Sequence, residues 1–270
     1  MTIQPEVRAV LCMILLFLNS VITVIFLIFG SDIGLLTFWF GALLIPIFFQ
    51  ILINKESLEE FGFWTKGMPK YLVIGLMISS CLILIHLGIG LAIEGILVNI
   101  TQEAIIFLPG MVVTQIFISI IEEMGSRGYI QRQLSLRYSP KFSIGIASLF
   151  FALLHWINIL ISLGIRTFTS LLLFSINMVL GGAWLGYAYY KSNNNLWLPI
   201  ALHFGWNVVG YFFFGSLFTG GSVVTYLIDP ILIEFEWSIL TALILSLGTV
   251  VIYLVSKTSV LSFPQEEAHI

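Results

Sequence analysis

Six polar side chains stand in three short patterns along an otherwise apolar chain. Glu122, Glu123 and Arg127 lie in "EEMGSRG", His155 closes "FALLH" behind Phe151, and His203 and Asn207 bracket "HFGWN". These residue types form an acid–base set. A carboxylate can take a proton from water, an imidazole can polarise that water or donate to a developing oxyanion, and the amide of Asn207 can do the latter. At α-helical spacing Glu123 and Arg127, four apart, share a face and pair. Glu122 is rotated from Glu123 by about 100°, which leaves it as the general base. Glu122, His155 and His203 also make a His2Glu set with an open position, the kind that holds a divalent metal such as zinc. Spacing does not choose between a metal-free and a metal-bound version, since both activate water for attack on a carbonyl.

The elements that must position these groups are membrane helices. Of 270 residues, 59% are hydrophobic and 9% charged, with a mean hydropathy of +1.06. A soluble domain carries about 25% charged residues. Segments long enough to span, at ~20 apolar residues each, occur at 7–29, 33–53, 71–93, 104–134, 142–162, 167–190, 196–218 and 237–256. The expected fold class is all-α, a polytopic membrane bundle of about eight transmembrane helices forming one membrane domain over 1–270. The fourth segment turns polar after Glu122 and is expected to project beyond the bilayer. "MTIQPEV" carries no basic n-region, so the first segment reads as a retained helix. Cys12 and Cys81 read as small core hydrophobes.

Lysine and arginine set the orientation. Arg8, Lys55, Lys66, Lys70, Arg127, Arg132, Arg137, Lys141, Lys191 and Lys257 fall on one side, and Arg166 alone on the other. The positive-inside rule then places both termini in the cytoplasm of a multi-pass cell-membrane protein. The 54–70 stretch reads as a cytoplasmic interfacial loop with aromatic anchors, and 219–236 as an acidic outer loop.

Depth brings the patterns together. Pro140 marks the turn between spans four and five, and Glu122 and His155 each stand about 25 Å from it at 1.5 Å per residue. His203 lies about 13 Å from its own turn at 193–195. The layers coincide if the Arg132–Arg137 end protrudes by about two turns. Six polar groups on three helices at one depth are a poor match for packing glue, at ~0.6 kcal/mol per pair, because an intramembrane charge costs roughly 2.5–3.5 kcal/mol. His86, alone in its span, reads as glue. Gly125, Ser126, Gly128 and the "GGAWLG" run at 181–186 read as packing positions.

The motifs "EEMGSRG", "FALLH" and "LWLPIALHFGWN" resemble the EExxxR, FxxxH and HxxxN motifs of the CPBP family, the Abi proteins that include type II CAAX prenyl proteases and bacteriocin-processing or immunity relatives. The resemblance covers a catalytic core at about 104–218. It implies an intramembrane endopeptidase in which Glu122, assisted by His155, activates water. His203 and Asn207 would bind water or stabilise the oxyanion, with Glu123 and Arg127 ordering the site. Ser126 departs from the phenylalanine that many members carry before the arginine. The family is labelled metalloprotease, and a metal-independent glutamate mechanism is also argued for it; no cofactor beyond such a metal is implied. The implied partners are the lipid bilayer and a membrane-associated peptide or lipidated, CAAX-type protein cut near its terminus, with no nucleic acid. A non-catalytic bacteriocin-immunity or membrane scaffold protein on the same fold is the alternative.

Other chemistries lack their residues. No HExxH or GxSG occurs, and the only aspartates, Asp32 and Asp229, lie outside the spans. No internal repeat of the transporter kind is visible.

Overall fold

The computed structural model describes residues 3–29, 33–63, 66–100, 102–162, 167–215, 223–258 and 260–261. Eight helical spans cover the eight apolar segments: α1 Pro5–Ile28, α2 Ile33–Phe48, α3 Met68–Ala92, α4 Gln102–Glu123, α5 Pro140–Ser162, α6 Phe168–Lys191, α7 Trp197–Phe214 and α8 Ile239–Ser256. Six described helices are long and apolar enough to cross a membrane. Of the other two, α5 has a shorter apolar run, Pro140–Trp156, and in α7 His203 and Asn207 interrupt the 18 residues. Leu84, Val113, Leu149 and Leu243 are exposed on the bundle surface, as side chains that face lipid must be. This is an all-α polytopic membrane bundle.

Hydrogen bonds fix which ends lie together. At one end the start of α1 meets the α2–α3 connection, Arg8 Nη1 donating to Asn54 Oδ1 at 3.0 Å. The same connection meets the turn before α7, with Leu196 N donating to Gly62 O at 2.8 Å. Tyr71, at the start of α3, donates to the carbonyl of Leu261 beyond α8. At the opposite end an antiparallel ribbon joins β1 Ile96–Val98 to β2 Val224–Tyr226, with Leu97 opposite Thr225. Strands of three residues carry too little alternation to show in the sequence.

Two larger apolar cores result, beside a small one around Phe151, Phe174 and Met178. One, around Trp184, Leu202 and Ile244, joins α3, α6, α7 and α8; the other, around Phe61, Tyr129 and Leu196, sits at the basic end. Phe61 is fully buried, so the 54–70 stretch is locked into the bundle instead of floating as an interfacial loop; Trp64 lies outside the described residues. The expected outer loop is likewise inserted. Residues 219–222 lie outside the described set, but Ile233 and Phe235 are buried, and Phe235 stacks on Phe214 with ring centroids 5.3 Å apart. His86 Nε2 donates to Ile233 O at 2.9 Å, which is the packing role expected of it. Cys12 is buried, whereas Cys81 is exposed on the lipid face.

The fourth span departs most from a uniform helix. After Glu123 it continues as a π-helix, Met124–Gln131, and closes with one α-helical turn, Arg132–Ser135. The i→i+5 hydrogen bonding of a π segment widens the turn and re-aims its side chains. All eight of its residues are buried.

Candidate active site

Glu123 and Arg127 form the buried brace. Arg127 Nη1 donates to Glu123 Oε1 at 2.9 Å, with side chains 1% and 0% exposed. A guanidinium out of water needs further acceptors, and Arg127 finds one on α6, Nη2 donating to Gly182 O at 2.9 Å. Its Cζ also lies 4.6 Å from the Phe151 ring centroid. The close approach depends on glycine: a Cβ at Gly182 would stand 2.9 Å from Ser148 Cα on α5. Gly186, one turn on, accepts from Gln131 Nε2 in the same manner at 2.9 Å. Arg127 thus belongs to the bundle interior, and leaves nine basic residues in the tally for the basic side. Arg166, the lone opposite charge, lies outside the described residues.

Glu123 does a second job. Its Oε1 also accepts from His203 Nδ1 at 2.8 Å, so Glu123 faces one histidine as well as the arginine. His155 Nδ1 donates to Phe151 O at 2.8 Å. A carboxylate and a carbonyl only accept, so in neutral imidazoles both Nδ1 atoms carry the hydrogen. In that neutral state both Nε2 atoms present lone pairs. They stand 3.7 Å (His155) and 3.9 Å (His203) from Glu122 Oε2, an oxygen that makes no hydrogen bond to the described residues. Three acceptors from α4, α5 and α7 thus converge on one point. A molecule that gives up protons, such as water, is what that point accommodates.

The two glutamates differ in access. Glu122 is 21% exposed and His155 20%. They border a cavity of about 60 Å³, with Gly125, Ser126 and Phe151 on one side and α1 and α2 on the other. Gly125 and Ser126, read from sequence as packing positions, are cavity walls. Gly128 is the packing position, where a Cβ would meet Phe61 and Leu196 at 3.1 Å.

The His2Glu set does not close around a metal in this arrangement. Among the described residues no group of three His, Cys, Asp or Glu could hold a metal ion. Ligands of a tetrahedral zinc at ~2.0–2.1 Å stand about 3.3 Å apart, whereas Glu122 Oε2 is 3.7 and 3.9 Å from the two nitrogens.

Among the described residues the hydrogen-bond partner of Asn207 is none of the other five. Asn207 Nδ2 donates to Gln115 Oε1 at 2.8 Å, about two turns from Glu122 along α4. Gln115 is a polar residue in a spanning run, and that alone could have marked it. Tyr211, one turn beyond Asn207, donates to Glu236 Oε1 at 3.2 Å. Glu236 belongs to the inserted connection before α8, and Asn177 Nδ2 holds its backbone carbonyl at 2.9 Å. Burial pushes the Glu236 carboxyl up to about 7, partly offset by the Tyr211 hydrogen bond. No motif pointed to it. At the basic end, Arg132 is paired with Glu56 at 2.7 Å and Glu60 at 3.1 Å. Arg137 remains exposed.

Fold and side chains together define a multi-pass membrane protein with an acid–base cluster inside the bundle. Residues 104–209 match the family model of the type II CAAX prenyl endopeptidases, Rce1-like, a span that contains all six motif residues. The similarity is confined to that segment, which is less than half of the chain. Residues 1–103 and 210–270 lie outside it. No curated protein matches the chain.

Proposed function

We propose that the protein is an intramembrane endopeptidase that uses water activated by Glu122. The convergence of Glu122 Oε2 with the two unprotonated Nε2 atoms carries this reading. Water donates one hydrogen to Glu122 and the other to an imidazole Nε2. As its oxygen attacks the scissile carbonyl carbon, Glu122 takes the proton. The hydroxyl this leaves on the tetrahedral carbon keeps its hydrogen bond to an imidazole Nε2, and the Asn207 N–H not used on Gln115 is the donor proposed for the oxyanion. The carbon–nitrogen bond breaks, the proton held by Glu122 passes to the leaving nitrogen, and a carboxylic acid and an amine result. Glu123 and Arg127 order the site, since the Glu123 carboxylate fixes the His203 tautomer.

The substrate in this reading is a membrane-associated or prenylated CAAX-type peptide cut near its terminus. Its tail enters from the basic side, which the positive-inside rule makes cytoplasmic. Reporter fusions after residues 60 and 95 should report inside and outside, respectively. The activity test uses purified protein in detergent with a panel of lipidated and unlipidated peptides, products being read by mass spectrometry. Wild type should cleave near a terminus, and Glu122→Ala and His155→Ala should not. Cleavage absent throughout, or surviving Glu122→Ala, would favour a bacteriocin-immunity or scaffold role on the same fold.

A further inference from the structure

The cavity beside Glu122 and His155 is closed on its far side by residues outside the matched segment. Leu16, Asn19 and Ser20 come from α1, and Phe38 and Ala42 from α2. A peptide bond presented for hydrolysis must leave helical conformation, so its N–H and C=O groups lose their internal partners. In a hydrocarbon environment such groups have to be satisfied by the protein. The wall facing Glu122 therefore needs a donor and an acceptor for an extended backbone.

Asn19 supplies both in one plane. Its side chain is largely buried. Among the described residues its one hydrogen bond is weak, a 3.4 Å contact from Nδ2 to Phe38 O. The neighbouring Ser20 is different, because its hydroxyl already donates to Leu16 O at 3.0 Å. On α2, Gly41 forms the bed on which Asn19 rests, and any Cβ at Gly41 would collide with the Asn19 carboxamide. A polar side chain in a spanning helix, cradled by glycine and lining the cavity that holds the proposed base, is a binding group in wait of a polar partner.

We propose that Asn19 is a substrate-binding residue, pairing with the backbone N–H and C=O of an extended peptide segment beside the scissile bond. Gly41 is the positioning residue that holds it. The proposal rests on the endopeptidase reading for its meaning, but its measurement is separate. Glu122 opposite Asn19 provides the reacting end of the same cavity, and the α1–α2 hairpin provides the holding end.

The test measures binding and cleavage apart. A fluorescent peptide from the panel is titrated into full-length protein in detergent, in a Glu122→Gln background that stops turnover. Asn19→Ala should weaken binding about tenfold, the loss of two modest hydrogen bonds. Gly41→Ala should weaken it similarly, and the double variant should be no weaker than Asn19→Ala alone, because both act on one contact. With Glu122 intact, Asn19→Ala should raise KM more than it lowers kcat. Affinity unchanged within about twofold in both single variants, with only the thermal midpoint lowered, would make Asn19 interhelical packing and overturn the proposal. Full additivity of the two substitutions would overturn it as well. Cleavage by wild type against none by Glu122→Gln judges the endopeptidase reading independently of these binding results.

Discussion

Two clusters of opposite charge sit five residues apart on the fourth span, and their geometry is nearly the same. Arg127 meets Glu123 at 2.9 Å, and Arg132 meets Glu56 and Glu60 at 2.7 and 3.1 Å. Their surroundings are opposite. The first pair is almost fully buried, while the acidic partners of the second are 33% and 44% exposed. Separation alone therefore says little about what each cluster does. An exposed pair contributes about 0–1 kcal/mol. A buried pair seldom improves on apolar packing, yet removing one partner costs about 3–5 kcal/mol because the other charge is stranded. A chain that keeps such a pair inside a membrane bundle uses it for something besides stability. Here Glu123 also accepts from His203 Nδ1, so the brace sets the protonation pattern of an imidazole that faces Glu122.

That contrast can be broken in order of expected size. Arg127→Met should lower stability by about 3–5 kcal/mol by leaving the buried Glu123 without its guanidinium, measured by chemical denaturation in detergent. A loss below about 1 kcal/mol would mean that Glu123 finds another cation. Arg132→Met should cost no more than about 1 kcal/mol, and raising the salt concentration should shrink the difference from wild type further. A cost equal to that of Arg127→Met would erase the distinction between the clusters.

Glu236 gives the smallest effect and a sharper sign. Its folded-state value of about 7 lies above the ordinary 4.5, so the protonated form is favoured by folding. The stability it contributes is full below about 4.5 and is lost as pH rises through about 7. Glu236→Gln should flatten the fall in thermal midpoint over that window. An unchanged slope would show that the carboxyl sees water in the folded protein.

What could be read from sequence divides along physical lines. The helices were legible because lipid imposes a length and an apolarity on crossing segments, and six of the described ones meet both. The meeting of Glu122 with His155 followed from rise per residue about one turn, a property that loop detail does not disturb. The π segment at Met124–Gln131 was not legible, because the residues of a widened turn look like those of an ordinary one. Asn207 shared the face expected of it yet spends its amide on Gln115, and spacing gives a face without giving a partner. Asn19, Gln115 and Glu236 escaped notice for a related reason. Each is a single polar residue with no second residue at a telling distance, and only the packing of distant helices gives it a neighbour.

The division of labour between the adjacent carboxylates is the centre of this account, and matched isosteric variants test it most directly. Glu122→Gln and Glu123→Gln keep size and shape while removing the negative charge. Both are assayed for peptide cleavage and for thermal midpoint in the same detergent. Glu122→Gln should reduce kcat by about 10²–10⁴-fold, the usual contribution of a general base, with an unchanged midpoint. Glu123→Gln should lower the midpoint, with activity declining as the hold on His203 loosens. Cleavage that persists in Glu122→Gln and vanishes in a fully folded Glu123→Gln would contradict the account and exchange the roles of the two residues.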